Sequence, residues 1–467
     1  MYPRNITAPL LPIAASLILG IVAGHWLMPT FPLVTILASM VMLAIACYKW
    51  AVVQSVAVCG CFVVLGMTLA QLRWADRGVT ADNGQTVEGV VMSEPAEKPR
   101  TIGIDLFLPT EGNTIRCYLL KDGHSRNVRL GDVLTVTLDH QLEGRASNMF
   151  FVRSSSWNYG GDALQKLSRW ERTRLWFLHQ RHRLLATYRD TNADEPLYAV
   201  LAAMTLGDKS ALSSELRDTY AVSGASHILA LSGLHLSIVY ALLTWLTLRR
   251  RRFWLSQLVL VSNIWAFAFL TGLSPSVTRA ATMFSLNAIF AVRSHRLPTL
   301  NVLAFAAIAM LVADAGTLFD IGFQMSFTAV ASILVGIPLV ERLWCPRHRL
   351  IRWAWALVGV SVCAQLGVAP LVAYHFGRLP TYFLLTNFIV VPAATIILYG
   401  ALVAFVFPPA FTPLLWLVGR LNDALQFIAS LPYSSINGLH PSVVQTVACY
   451  VLLALVCRAL YILLPKR

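Results

Sequence analysis

Apolar and polar positions divide the chain into unlike stretches. Apolar runs near 10–28, 31–48 and 51–72 approach or reach the roughly 20 residues that a bilayer span needs. The pattern then shortens. Segments 86–92, 102–108, 113–120, 132–138 and 148–153 alternate, with turn residues such as Lys121-Asp122-Gly123 and Glu143-Gly144 between them. Five short strands at this spacing predict a small all-β, OB-like domain over 73–163. Between 164 and 193, Leu164, Leu167, Leu175, Leu178 and Leu185 recur at the helical period and predict an amphipathic helix. From 194 onward the chain is again mostly apolar. Spans are expected near 226–248, 253–271, 275–293, 298–313, 320–340, 353–374, 381–407, 411–431 and 443–464. With the first three they make about twelve. The segment 411–431 carries Arg420, Asn422, Asp423 and Gln426, and lying on the surface is its alternative. The fold class is thus a polytopic α-helical membrane protein with one small β domain inserted after the third span. Its expected units are 1–72, 73–163, 164–193 and 194–467.

Composition agrees with this division. The chain is 57% hydrophobic and 13% charged, where soluble domains carry about 25% charged residues. Residues 73–165 alone are charge-balanced, with ten Lys/Arg and twelve Asp/Glu. The net charge of +14 reports topology before it reports a ligand. With Arg4 placed inside, Lys49, Arg249 to Arg252, Arg293, Arg296, Arg342, Arg347, Arg349, Arg352, Lys466 and Arg467 all fall on the same side. That side is read as the cytoplasm of an inner membrane, with the N-terminus inside and the β domain periplasmic. The run after Arg4 is of full span length and is followed at once by another, so a retained helix is expected rather than a signal peptide. Of eight cysteines only Cys117 lies in the soluble stretch, and no spacing resembles a zinc site. Neither a metal nor another cofactor is expected.

Charge changes the picture of the amphipathic helix. Lys166, Arg169, Arg172, Arg174, Arg181, Arg183 and Arg189 stand against Glu171 and Asp190, with Trp170, Trp176 and Phe177 among them. One reading is a helix lying on anionic lipid. The other is a surface that tracks a nucleic-acid backbone while Trp170, Trp176, Phe177, Phe150 and Phe151 offer stacking faces.

The densest polar cluster in the apolar region is 206–243. It holds Asp208 and Lys209, then His227, Ser232, Gly233 and His235. On one continuous helix His227 and His235 would lie two turns apart and near the same face. A pore lining, an intramembrane hydrolase built on Ser232 and His235, a two-histidine metal site and plain small-residue packing all fit these residue types. Arg279 sits in the first turns of a later span, where it either lines a polar path or snorkels outward. Gln324 lies in the run 318–333. Asn387 lies in the Pro-bearing run 363–392, which predicts broken helices.

The segments "GASHILALSGLHLSIV" (224–239), "TGLSPSVTRA" (271–280), "LFDIGFQMSF" (318–327) and "PLVAYHFGRLPTYFLLTNFIVVP" (370–392) resemble, in order, the signatures of the ComEC family of competence proteins. The three-span unit with a β domain is similar to that family's N-terminal region. The resemblance implies a channel for single-stranded DNA during natural transformation, whose path includes Asp208, Lys209, His227, Ser232, Gly233, His235, Arg279, Gln324 and Asn387. Many members continue into a metallo-β-lactamase-like domain, and this sequence ends at Arg467, so any nuclease activity is expected to come from a separate protein or to be absent. No phosphate loop of the Walker type occurs, so a cytoplasmic helicase motor is an expected partner. A periplasmic DNA receptor and membrane lipid complete the expected partners. A transporter of another anionic envelope precursor is the rival in a second class.

Overall fold

The computed structural model describes residues 9–27, 36, 40–42, 50–75, 85–97, 99–138, 140–141, 149–153, 156–191, 193–247, 253–292 and 299–464. Apart from 36 and 40–42, the expected span at 31–48 lies outside these residues. So do the basic positions Arg4, Lys49, Arg249 to Arg252, Arg293, Arg296, Lys466 and Arg467.

Helices α1 (Leu10–Leu27) and α2 (Ala51–Ala75) pack along their lengths. Small residues permit the approach, since a Cβ at Gly20 would overlap the Val63 carbonyl. The sheet follows, with β1 (Thr86–Val91), β2 (Ala96–Glu97), β3 (Thr101–Leu108), β4 (Asn113–Leu120), β5 (Val133–Thr137), β6 (His140–Gln141), β7 (Met149–Val152) and β8 (Trp157–Tyr159). The five strands expected from alternation appear within one residue at either end. Their spatial order is β6-β7-β4-β3-β1-β5-β8, with β2 on β3. Every pairing is antiparallel except β4 with β7. Inward positions of these strands, including Ile104, Leu106, Cys117, Leu119, Leu134 and Val136, form one buried cluster. Burial pushes the Cys117 thiol up to about 12, with the Asp105 charge adding to the shift, so it is inert as a nucleophile. Phe150 belongs to this core, at 1% exposure. Its expected role as a stacking face is therefore excluded.

Helix α3 (Arg169–Arg189) begins five residues later than the leucine pattern implied. Ser168 and Glu171 form a reciprocal cap, with Ser168 N–H donating to Glu171 Oε2 at 2.6 Å and Glu171 N–H to Ser168 Oγ at 3.3 Å. Its leucines do not face lipid. Leu175 and Leu178 close a second core with Val90, Met92, Phe107 and Leu167 on the outer side of the sheet. Leu185 and Tyr188 enter the helical bundle.

The bundle comprises α4 (Glu195–Leu206), α5 (Ser214–Val222), α6 (Ser226–Leu229), α7 (Gly233–Thr247), α8 (Phe253–Leu270), α9 (Pro275–Val292), α10 (Thr299–Ala313), α11 (Ile321–Leu343), α12 (Arg349–Phe376), α13 (Phe383–Val406), α14 (Phe411–Ser430) and α15 (Val443–Leu463). Among the described residues α2, α11, α12, α13 and α15 are long and apolar enough to cross a membrane. Leu17, Ile21 and Ala70 of the front pair share a core with Leu311 and Phe323, which joins that pair to α10 and α11. Helix α14 is buried through Phe411, Leu414, Val418, Leu421, Leu425 and Ile428. These positions form one stripe against α4, α5 and α13.

Two expectations are corrected here. The span at 226–248 is not one helix, because Ala230 takes an extended conformation between α6 and α7. Conversely Pro370 and Pro392 lie inside continuous helices. The interruption in that region is the turn between α12 and α13, where β9 (Arg378–Pro380) pairs with β10 (Ser435–Asn437).

If α3 and the sheet share a core, Leu178→Ala should destabilise the protein by about 2–5 kcal/mol. Arg116→Ala, which removes an exposed ion pair to Asp105, should cost under about 1 kcal/mol. Denaturant unfolding of the full chain in detergent measures both, and the reverse order would contradict this packing.

Candidate functional site

Of the residues singled out by sequence, His227, Ser232, Gly233 and His235 lie at the break between α6 and α7. Ser232 precedes α7, and the Leu236 N–H donates to its carbonyl at 3.3 Å. His235 is 1% exposed. Its Nδ1 stands 3.3 Å from the Ser232 N–H, which donates to it, and 3.1 Å from Ser232 Oγ. This is the reach-back geometry of a capping box, with imidazole in the place of Glu. The acceptor role fixes the proton on Nε2, and that nitrogen is buried without a hydrogen-bond partner. His227 lies on α6, on the other side of the break. Its side chain is exposed and its Nδ1 is 3.2 Å from the Gly224 carbonyl. The two histidines therefore do not share one helix face, because the break at Ala230 resets the period.

Neighbouring helices hold the break. Ser276 Oγ of α9 donates to the Leu231 carbonyl at 2.5 Å. Thr386 Oγ1 of α13 donates to the Ser223 carbonyl at 2.6 Å, and Tyr399 OH donates to that of Ile238 at 3.0 Å. Tyr220 OH of α5 donates to Asn422 Oδ1 of α14 at 2.7 Å. Gly224 turns the chain at a φ of +87°, and a Cβ there would stand 3.1 Å from Pro380 of the β9 strand. A side chain at 224 would be strained twice over. Gly233 faces Ala280, with 3.7 Å left for a Cβ.

Arg279 lies beside this junction and is 3% exposed. Its Nη2 donates to the Ser276 carbonyl at 3.3 Å, its guanidinium lies 5.5 Å from the Phe327 ring centre of α11, and Nη1 is buried without a partner. Among the described residues no carboxylate pairs with it. It does not snorkel. A buried guanidinium without a counter-charge is costly unless an anion or water meets it.

The remaining candidates are more ordinary. Asp208 is buried and accepts from Ser210 N–H at 3.1 Å and Ser210 Oγ at 2.9 Å, so it closes its own loop. Lys209 is exposed, and its carbonyl accepts from Arg217 Nη2 at 2.8 Å. Gln324 Nε2 donates to the Leu318 carbonyl at 3.0 Å. Asn387, next to Thr386, keeps a buried Oδ1 without a partner. Among the described residues no three His, Cys, Asp or Glu side chains stand close enough to share a metal. Ser232 and His235 have the spacing of a nucleophile and base, yet nothing orients the far ring nitrogen.

The basic helix presents two faces. Arg169, Arg172, Trp176 and Arg183 are spaced three, four and seven residues apart on one exposed side. Lys166 lies 3.7 Å from Glu88. Trp170 and Trp176 are 56% and 57% exposed, and Trp170 meets Phe269 of α8 edge-on at 4.7 Å. Arg174 and Arg181 depart from the surface expected of them. Arg174 is half-buried and Arg181 only 8% exposed, because both fall on the stripe that carries Leu178 and Leu185 into the protein. Sequence reading missed Ser276, Phe327, Thr386 and Tyr399. The first three lie within the signature segments, but as ordinary residue types in apolar runs none of the four showed which group it would meet.

The family model described as "Competence protein" matches residues 204–462. The chain belongs to this family, the ComEC family of competence proteins. Its relatives include "ComE operon protein 3" of Bacillus subtilis (strain 168), 27% identical over 250 residues, which are 52% of this chain and 31% of that protein. "Competence protein ComA" of Neisseria gonorrhoeae is 28% identical over 303 residues, covering 61% of this chain and 41% of that one. An uncharacterized protein of Aquifex aeolicus (strain VF5) is 29% identical over 284 residues, covering 60% and 64%. The chain thus spans between about a third and two thirds of the length of these relatives. No solved structure matches it. Together with the apolar helices, the family makes this a multi-pass membrane protein.

Ser276→Ala should leave the Leu231 carbonyl buried and unpaired, at a cost of about 1–3 kcal/mol. Ser430→Ala, which removes a bond on an exposed helix end, should cost a few tenths. Thermal melts of the detergent-solubilised protein compare the two, and equal melting points would remove Ser276 from the support of the break.

Proposed function

We propose that this protein is the membrane channel through which a single DNA strand enters the cell during natural transformation. The observation that carries the reading is the junction at α6, α7 and α9. A helix is opened there at its most polar point, and a buried, acid-free Arg279 lies beside it. A strand is a polyanion with a stacking surface, so its path needs phosphate partners and aromatic faces rather than a nucleophile. Arg279 supplies the first inside the bundle. Arg169, Arg172, Arg183 and Trp176 supply both on the outer face of α3.

The β domain is read as an OB fold. Its β1, β3 and β4 form a meander, β5 adds antiparallel to β1, and β7 adds parallel to β4, which supports a partly open five-stranded barrel. The domain's role is to carry α3 more than to bind through its sheet. On the outer side of β3 and β4, Arg116 is spent on Asp105 at 2.8 Å. Lys121 is spent on Glu97 at 2.7 Å, and its bond and charge hold the Glu97 carboxyl below the usual range. The full topology is about twelve spans, N-terminus inside and β domain outside. A motor and a receptor act as separate partners, and the proposed conduction itself needs no catalytic residue. The closest competing reading is a transporter of another anionic envelope precursor. A deletion strain that still takes up and integrates DNA would exclude the channel reading in favour of that one.

Two further measurements follow. A reporter fused near Gly123 should read periplasmic and one near Arg251 cytoplasmic; the same side for both would reject the topology. Gly233→Leu should abolish transformation, because its side chain would press on Ala280 and fill the junction. Ser232→Ala should reduce transformation only slightly, since the hydroxyl serves a helix start. Complete loss in a folded, inserted Ser232→Ala protein would instead favour a hydrolase.

A further inference from the structure

A second buried cation lies away from the α6–α7 junction. Arg181 of α3 is 8% exposed, and among the described residues it makes no hydrogen bond and no ion pair. Its Nε is buried without a partner. A Cβ at Gly272, in the turn between α8 and α9, would stand 3.4 Å from Arg181 Nη1. Two turns earlier on α3, Arg174 also has a sealed, unpartnered Nε. Burial lowers the Arg174 guanidinium below its ordinary value; Asp105 opposes this and the charge of Arg181 adds to it.

The turn itself is open to an anion. Ser274 precedes α9, whose Thr278 N–H donates to the Ser274 carbonyl at 2.9 Å. Yet Ser274 Oγ is buried without a partner and does not cap the first turn. Pro275 removes one donor, and the following N–H groups have no intrahelical acceptor. A long helix start and an unused hydroxyl thus follow within three residues of Gly272, which adjoins a buried guanidinium that no carboxylate pairs with among the described residues. The cost of burying that charge alone is several kcal/mol, so the seam is built for a negative ligand.

We propose that the seam between α3 and the α8–α9 turn binds a backbone phosphate of a single-stranded nucleic acid through Arg181, with Arg174 and Ser274 alongside. The assignment rests on the uptake reading. A strand is preferred over a lipid headgroup because the leucines flanking Arg181 are packed on protein, leaving no lane for acyl chains. It is also preferred because Arg169, Arg172, Trp176 and Arg183 make the exposed face of the same helix positive, which concentrates a polyanion near the seam.

The test uses the full chain in nanodiscs of phosphatidylcholine. Affinity for a short fluorescent oligodeoxynucleotide is measured across salt concentrations for wild type, Arg181→Met and Arg181→Lys. One lost phosphate contact should lower the magnitude of the log–log salt slope by roughly 0.7. The Met variant should show this and bind several-fold more weakly, and the Lys variant should recover the slope. Thermal melts in phosphate-free buffer and in inorganic phosphate give a second readout. Met should melt no lower than wild type without phosphate, since it removes an uncompensated charge, and should lose the stabilisation that phosphate gives wild type. Wild-type slope and affinity in a folded Met variant overturn the proposal while leaving the uptake reading intact. If wild type binds no strand, both fall. If phosphate stabilises through Arg181 but strand binding ignores it, the seam is a free-phosphate site and the proposal is wrong. Loss of the Arg181 contribution in phosphatidylglycerol nanodiscs would assign the seam to lipid and overturn it as well.

Discussion

Every peptide group taken out of a helix inside a membrane must find another partner, because lipid offers none. The break between α6 and α7 meets the same cost, because Ser223 and Leu231 are buried among helices. Other helices meet it. The Leu231 carbonyl is taken by Ser276 of α9, the Ser223 carbonyl by Thr386 of α13, and the Ser232 N–H by the imidazole of His235. These bonds do more than repair the backbone. Ser276 is one turn from Arg279, and Thr386 is adjacent to Asn387. Fixing the break therefore fixes the polar side chains beside it, and the rest of the junction depends on that coupling.

The placement of charge follows a consistent order through the molecule. On the sheet face, cations are neutralised in pairs, as with Arg116 and Asp105 or Lys121 and Glu97. On the exposed side of α3 they are free but solvated, so each is worth little alone. Toward the bundle they become buried and single, as with Arg181 and Arg279. The pull of each cation on any anion thus grows with depth, since the same charge acts more strongly where water is excluded. The sheet's contribution is mechanical. Its outer side is closed by Leu175 and Leu178, which fix α3 between the sheet and the bundle.

Periodicity alone located most of the elements, because alternation and the helical repeat are direct consequences of which face is buried. The strands came out within one residue, and α8 to α10 nearly so. What periodicity missed were relations between elements. Hydropathy cannot separate a span from a helix broken at Ala230, since Ala230 and Leu231 are apolar whether helical or extended. It also read Pro370 and Pro392 as breaks, although the helices run through them. The basic stretch at 164–193 was legible as amphipathic, but not which arginines its packing would bury. Arg174 and Arg181 share the buried stripe with leucines, and charge counting weighs all seven cations alike. The candidate site was legible as a cluster of polar residue types. Its partners were not, because Ser276 and Tyr399 acquire meaning only opposite a free carbonyl.

The same geometry argues against a nucleophile at Ser232. A nucleophile needs a base whose far nitrogen is held, so that the proton taken from the hydroxyl leaves an oriented, stabilised imidazolium. Here the near nitrogen of His235 already accepts a backbone N–H, and the far one is sealed in an apolar wall. Charging that ring would bury a cation with nothing to meet it. Conduction asks for something different, namely sites favourable enough to enter yet weak and numerous enough to leave. Under the proposed uptake role, single guanidiniums on α3 and α9, without acids to hold them tightly, would suit that demand, and a carboxylate beside any of them would weaken its hold on an anion.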